Sequence, residues 1–165
     1  SIETSRRLDR MLCKDMIVPE GADEEYSPVA GELMLRHYRP RIEALIGRQL
    51  LESFAYWRIY THGTQLLRHV DRNAVEIGAT VTIRAEPEGE CSPLFLEDLK
   101  GEVQRIAMPP GTGVIYMGTK LPHWRDPIAA QEQWQMFLCY VLKDGDHAEE
   151  HFDGRSEGLT RGRTS

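Results

Sequence analysis

Between Val29 and Leu51 the apolar residues recur at helical spacing, in VAGELMLRHY and again in RIEALIGRQLL. Ser27-Pro28 supplies a start signal, a capping hydroxyl followed by proline at the first helical position. Pro40 interrupts the run, so the pattern predicts two short helices within residues 27–50. After Leu51 the period changes. FAYWRIY is aromatic and β-branched, and AVEIGATVTI, PLFLED, EVQRIAM, GVIYM and WQMFLCYVL follow, separated by Gly and Pro at hairpin spacing. Such a run, about eight short strands with helices only upstream, predicts a mainly β sandwich or jelly-roll barrel with a helical layer on one face. The stretch before Ser27 is polar and broken by Pro19 and Gly21, which reads as an arm over residues 1–26. One domain is expected over 27–143, its helices in 27–50 and its jelly roll in 53–143. The charged, Gly-rich end reads as a loose polar tail over 144–165.

Composition narrows the class. A chain of 165 residues suffices for one domain with a buried core, and 41% hydrophobic with 28% charged residues is ordinary for a soluble protein. No apolar run approaches a membrane span, and the N-terminal stretch lacks the charged-then-apolar layout of a signal peptide. A net charge of −6 with scattered basic residues argues against a nucleic-acid partner. Cys13, Cys91 and Cys139 are odd in number and far apart, with no CxxC pair, so neither a disulfide framework nor a thiolate zinc site is expected. A reducing cytoplasm is the compartment this favours.

The chemistry starts from LLRHVDRN, residues 66 to 73. On a strand, residues i and i+2 project from one face, so His69 and Asp71 aim an imidazole and a carboxylate at one point. Singly, each has a plain reading: a lone His is more often a surface or core residue, and Asp71 can end a strand in a turn with Asn73. A third ligand changes the balance. His123, in KLPHWRDP, opens a late strand after the turn PPGTG, with 51 residues between it and Asp71. Two His and one carboxylate, bound facially with open positions opposite, is the set used by non-haem Fe(II) oxygenases.

From Ser27 to Val141 the chain resembles the Fe(II)/2-oxoglutarate-dependent dioxygenases, especially the small bacterial branch similar to prolyl 4-hydroxylase domains. The resemblance is carried by YWRIYTHGTQLLRHVD, PPGTGVIYMGTKLPHWRDP and WQMFLCYVL. It implies a double-stranded β-helix, with Fe(II) held by His69, Asp71 and His123. It further implies 2-oxoglutarate as cosubstrate, hydrogen-bonded by Tyr60, with O2 as co-reactant. Asp71 favours hydroxylation over halogenation, because halogenating relatives leave that position without a carboxylate. One position departs from the pattern. Where the prolyl-hydroxylase pattern has a Lys or Arg to grip the far carboxylate of 2-oxoglutarate, this chain has the neutral Gln133. A dicarboxylate in a partly dry pocket needs a cation. Strand periodicity offers Arg125, on the face of His123, and Arg58, on the face of Tyr60, and the planar guanidinium fork suits a carboxylate.

Two motifs are set aside. HAEEH, residues 147 to 151, matches a zinc-protease pattern but sits in the polar tail. GVIYMGTK, residues 113 to 120, approximates a phosphate loop, but Thr and Lys are transposed and a strand precedes it with no helix after it. His37 and His62 lack partners at ligand spacing and are read as structural. Trp57 and Trp124 are candidates for a pocket wall or for the core. The expected substrate is a small molecule or a peptide. Two other classes fit the same pattern: a cupin-like metal-binding jelly roll that uses no 2-oxoglutarate, and a non-catalytic binding module.

Overall fold

The computed structural model describes residues 22–155. Within them lie one long helix, α1 (Val29–Ile46), and nine strands: β1 (Asp23–Tyr26), β2 (Leu50–Thr61), β3 (Leu66–His69), β4 (Ile77–Glu86), β5 (Leu94–Glu97), β6 (Val103–Ile106), β7 (Gly113–Tyr116), β8 (His123–Arg125) and β9 (Glu132–Leu142). A larger sheet runs β1-β2-β9-β4-β7 and a smaller one β3-β8-β5-β6. Every strand pair is antiparallel. From β2 to β9 the chain passes back and forth between the two sheets, except that β5 and β6 form a hairpin within the smaller one, in the manner of a double-stranded jelly roll, as the strand pattern predicts.

The period of two along β2, β4 and β9 divides their side chains between two cores. On the outer face, Ala55, Ala79, Met136, Leu138 and Tyr140 pack under Leu35 and Ile42 of α1. On the inner face, Phe54, Tyr56, Tyr60, Phe137 and Cys139 fill the barrel beside Leu66 and Val75. Covered on both sides, β2 and β9 are buried along nearly their whole length, which explains why their sequences are apolar runs and not clean alternations. The polar inward residues pair with one another: Thr80 donates to Gln135 Oε1 at 3.1 Å, and Gln135 Nε2 donates to Thr82 at 2.7 Å.

The helical region differs from expectation in two respects. Pro40 does not divide it; α1 is one helix of 18 residues with the proline inside. Pro40 is exposed, as is Arg36, whose carbonyl loses its amide donor. On that face water can take the bond, while Leu35 and Ile42 stay anchored on the sheet. The start is also displaced by one residue. Pro28 holds the cap position without a side-chain cap, and Ser27, at φ 51°, turns its hydroxyl to Glu32 at 2.8 Å. Gly47 ends the helix in the left-handed conformation at φ 69°, its amide bonded to the Glu43 carbonyl.

Both chain ends contribute more than an arm and a tail. The last residues of the expected arm form β1, paired along β2 from Asp23 opposite Ile59 to Tyr26 opposite Tyr56; residues 1–21 of it lie outside the described residues. Of the expected tail, Ala148–Gly154 form 3-10 turns packed on β2 and β9, and residues 156–165 lie outside the described residues. No helix among the described residues is long and apolar enough to cross a membrane.

Candidate active site

At one mouth of the barrel the end of β3 pairs with the start of β8, setting His69 opposite His123. β3 stops at His69, so Asp71 lies just beyond the strand, and its amide donates to the Gly118 carbonyl at 2.8 Å. That bond turns the carboxylate back between the two imidazoles. His69 Nε2 lies 3.4 Å from Asp71 Oδ1, and His123 Nε2 lies 3.5 Å from Asp71 Oδ2. One donor atom from each of the three residues falls within 4.8 Å of the other two. Metal–nitrogen and metal–carboxylate bonds are about 2.1 Å long, so donors at right angles on one ion stand about 3 Å apart. The two contacts of Asp71 with the imidazoles are close to that separation.

The protonation pattern fits a metal. His69 Nδ1 is 2.8 Å from the Leu67 carbonyl oxygen and His123 Nδ1 is 3.0 Å from that of Leu121. A carbonyl only accepts, so each Nδ1 carries a proton, and Nε2 is the nitrogen each ring turns to the centre, the one that binds a metal in the neutral ring. Burial pushes the His123 pKa down, against the pull of Asp71, and so favours the neutral ring. Asp71 Oδ2 is buried without a hydrogen-bond partner, a costly state for a carboxylate oxygen unless a cation faces it. Two imidazoles and one carboxylate suit Fe(II).

The pocket in front of the triad measures about 510 Å3 with the open space at its mouth included. Phe54, Tyr56 and Phe137 form one wall; Tyr56 stacks on Phe137 at 4.3 Å between ring centres. Tyr116 lies 4.7 Å from the His123 ring. Burial pushes the hydroxyls of both Tyr56 and Tyr116 well above the ordinary tyrosine range, so both stay neutral.

The three candidate cosubstrate residues cluster around Tyr60, and of them Arg58 lines the pocket while Tyr60 and Arg125 are fully buried. Arg58 and Tyr60 share the inward face of β2, and Arg58 Nη1 donates to the Tyr60 hydroxyl at 3.2 Å. Arg58 lines the pocket, and its Nε donates to Glu24 of β1 at 2.7 Å. Burial opposes its charge, but Tyr60, Tyr56 and Glu24 outweigh burial and push its pKa up. Arg125 shares the inward face of β8 with His123, and its guanidinium lies 5.7 Å from the centre of the Tyr60 ring. At 1% exposure it is buried, donating to the Ser92 carbonyl at 2.9 Å and to Met108 Sδ at 3.5 Å, with its Nε unpartnered. Among the described residues it has no acidic partner, and burial pulls its pKa down. Gln133 is committed elsewhere. It accepts from the Ser92 amide at 2.8 Å and donates to the Ser92 carbonyl at 3.2 Å, pinning the same residue that Arg125 touches.

Other sequence candidates fall away from this centre. His62 is exposed and bonds the Ala129 carbonyl, and His37 is exposed with its ring edge to Tyr38. HAEEH lies in the 3-10 region after β9, and GVIYMGTK is β7 followed by a turn. Trp57 packs against Trp134 and joins the outer core under α1, and Trp124 stacks on Phe95. The sequence reading overlooked Arg72, a second pocket-lining cation, although its adjacency to Asp71 was a usable signal. It also overlooked Gly118, whose importance is a matter of spatial approach that no local pattern carries.

Solved structures share this architecture. A Pseudomonas putida prolyl-4-hydroxylase superposes at a TM-score of 0.57 with 13% identity, over 84% of this chain and 86% of that one. A Burkholderia pseudomallei oxidoreductase of the 2OG-Fe(II) oxygenase family gives 0.61 with 11% identity, over 82% and 76%. A Trichoplax adhaerens prolyl hydroxylase, in complex with a hypoxia inducible factor oxygen degradation domain peptide fragment, gives 0.60 with 13% identity, over 84% and 70%. The fold is that of the 2-oxoglutarate–iron(II) oxygenases. No family model matches the sequence, and no curated protein matches it either. The likeness therefore lies in the arrangement of the oxygenase fold, and the residues of the site must carry the functional argument.

Proposed function

We propose that the protein is an Fe(II)- and 2-oxoglutarate-dependent oxygenase, a hydroxylase in reaction type, acting on a small molecule or a peptide. One observation carries this reading: two imidazole nitrogens and a carboxylate oxygen without a hydrogen-bond partner converge at the mouth of a jelly-roll barrel. His69, Asp71 and His123 would hold the iron. Tyr60 and an arginine would hold 2-oxoglutarate, and Arg125 is the better candidate for its far carboxylate. A buried guanidinium without an acid is costly alone and gains most from an anion. Arg58 already has Glu24, so its part is to orient Tyr60 and add positive potential. When bound, iron and 2-oxoglutarate supply the oxidising chemistry, in which O2 is consumed, 2-oxoglutarate becomes succinate and CO2, and one oxygen atom passes to the substrate. The chain itself fixes the donor tautomers, keeps water from the inner wall with Phe54, Tyr56 and Phe137, and retains a carboxylate at Asp71. The peptide bound by the Trichoplax protein supports keeping extended peptides among the substrate candidates.

The test is an anaerobic titration with Fe(II) and 2-oxoglutarate, watching for the weak visible charge-transfer band of the chelate. Its appearance in the wild type and its loss in His69→Ala, with the fold retained by circular dichroism, is the expected result. Iron binding without the band would favour a cupin-like metal site, and no iron binding would defeat the proposal.

A further inference from the structure

The segment after β9 meets the lining of the candidate metal pocket at Arg72, which Asp153 grips. Within Ala148–Gly154 three successive residues have positive φ: Phe152 at 57°, Asp153 at 53° and Gly154 at 71°. Phe and Asp both carry a Cβ that disfavours this conformation, so the turn depends on the contacts that hold it. Arg155 fastens one end, donating to the Ser53 carbonyl at 2.6 Å and to Glu32 at 3.1 Å. Asp153 fastens the other. It receives Arg72 fork to fork, Nη1 to Oδ1 at 2.7 Å and Nη2 to Oδ2 at 2.8 Å, and also accepts from the Tyr26 hydroxyl. Arg72 directly follows Asp71, lines the pocket, and lies 4.8 Å over the ring of Phe54 in the pocket wall.

These contacts bear on the ligand because Asp71 stands in a short link between β3 and the 3-10 turn Asn73–Val75. The link is otherwise tied by the Asp71 amide on Gly118 and by the Val75 amide on the Arg72 carbonyl. We propose that Asp153 is a positioning residue for the metal centre. By gripping Arg72 it fixes the link that presents Asp71, and residues 148–155 serve as a strap over it. The proposal rests on reading His69, Asp71 and His123 as metal ligands.

Positioning and simple electrostatics predict different signs. Arg72 places a positive charge beside the metal site and Asp153 a negative one. If charge alone mattered, Arg72→Gln would tighten cation binding and Asp153→Asn would weaken it. If the pair positions Asp71, both substitutions weaken it, and the double substitution weakens it no further than the worse single one. The experiment is titration of the apo protein with Mn(II), following the free ion by electron paramagnetic resonance, with melting temperatures recorded in parallel. Expected is a loss of affinity of about tenfold in Arg72→Gln, in Asp153→Asn and in the double variant, with Arg72→Lys also weakened because it keeps the charge and loses the fork. Opposite signs in the two singles, additive losses, or unchanged affinity with a lowered melting temperature would each overturn the proposal. Equal Mn(II) binding by wild type and Asp71→Ala would instead defeat the metal-site reading on which it stands.

Discussion

Gly118 shows how one residue can govern a site without taking part in it. A Cβ built there would sit 2.5 Å from Asp71 Oδ2 and closer still to the Val75 carbonyl, both residues of the pocket wall. Neither neighbour is the free end of a flexible chain, because Asp71 is tied back to Gly118 itself through its amide. Gly118→Ala should therefore destabilise the protein by about 1–3 kcal/mol, as overpacking does, and should turn the carboxylate away from the imidazoles. The check is a chemical denaturation series beside a Mn(II) titration. Affinity should fall further than stability alone explains, and a variant that binds Mn(II) like wild type would refute the crowding argument. Residues of this kind are the ones the chain did not announce. The convergence of His69, Asp71 and His123 was legible in their types and order, and the inward faces of Arg58 and Arg125 in the two-residue period of a strand, whereas Tyr60 was named through the family resemblance. Gly118 and Ser92 matter through partners far away in sequence, Asp71 for one and Gln133 for the other, and no window of residues contains both members of either pair.

At the level of elements, the strands were readable because burial on both faces leaves a strong signal, and α1 was misread because a local rule was weighed without its tertiary setting. Pro40 breaks a helix by removing a bond and crowding a carbonyl, yet here the loss falls on the solvent side while the apolar stripe stays docked. Tyr140 of β9 also holds α1, donating to the Leu35 carbonyl at 2.7 Å. The strap was misread for the opposite reason. Its sequence is charged and Gly-rich, the composition of a loose tail, and its order comes from ion pairs to α1 and to the link after β3 and from a hydrogen bond to Tyr26 of β1. Those pairs give it a pH limit. Burial raises the Asp153 pKa, but hydrogen bonds from Arg72 and Tyr26 and the charges of Arg72 and Arg155 outweigh that and hold it below the ordinary aspartate value. A carboxyl whose pKa is depressed by folding contributes stability above its unfolded pKa and loses it as pH falls through the folded one. The strap should thus be intact above about pH 4 and loosen below it, before the strand pairs of the barrel open. Amide exchange of residues 152–155, corrected for the intrinsic rate at each pH, measures this; protection that stays constant to pH 2 would exclude Asp153 as the latch.

For the whole molecule, the proposed ligands should bear on stability as well as on chemistry. Among the described residues, Arg125 is buried on the inner face of the barrel without an acid, and Oδ2 of the half-buried Asp71 at the mouth has no hydrogen-bond partner. Buried unpaired charge lowers stability, and a ligand of opposite charge restores it, so binding and folding are linked. A ligand at one hundred times its Kd adds about 2.7 kcal/mol, and for a chain of this size each kcal/mol is worth roughly 2–4 °C in Tm. Mn(II) should therefore raise Tm by roughly 5–10 °C at that concentration, and 2-oxoglutarate should raise it again by a similar step only once Mn(II) is present. Arg125→Met separates the two steps. It removes the unpaired cation, so the free variant should melt within a few degrees of the wild type or above it, whereas Arg58→Met would strand Glu24 and melt lower. The metal step should survive in Arg125→Met and the 2-oxoglutarate step should vanish. If 2-oxoglutarate still stabilises that variant in full, the far carboxylate is gripped elsewhere, with Arg58 as the remaining guanidinium at Tyr60. If it stabilises neither protein, the two buried arginines serve another anion, and the oxygenase fold has been put to a different use.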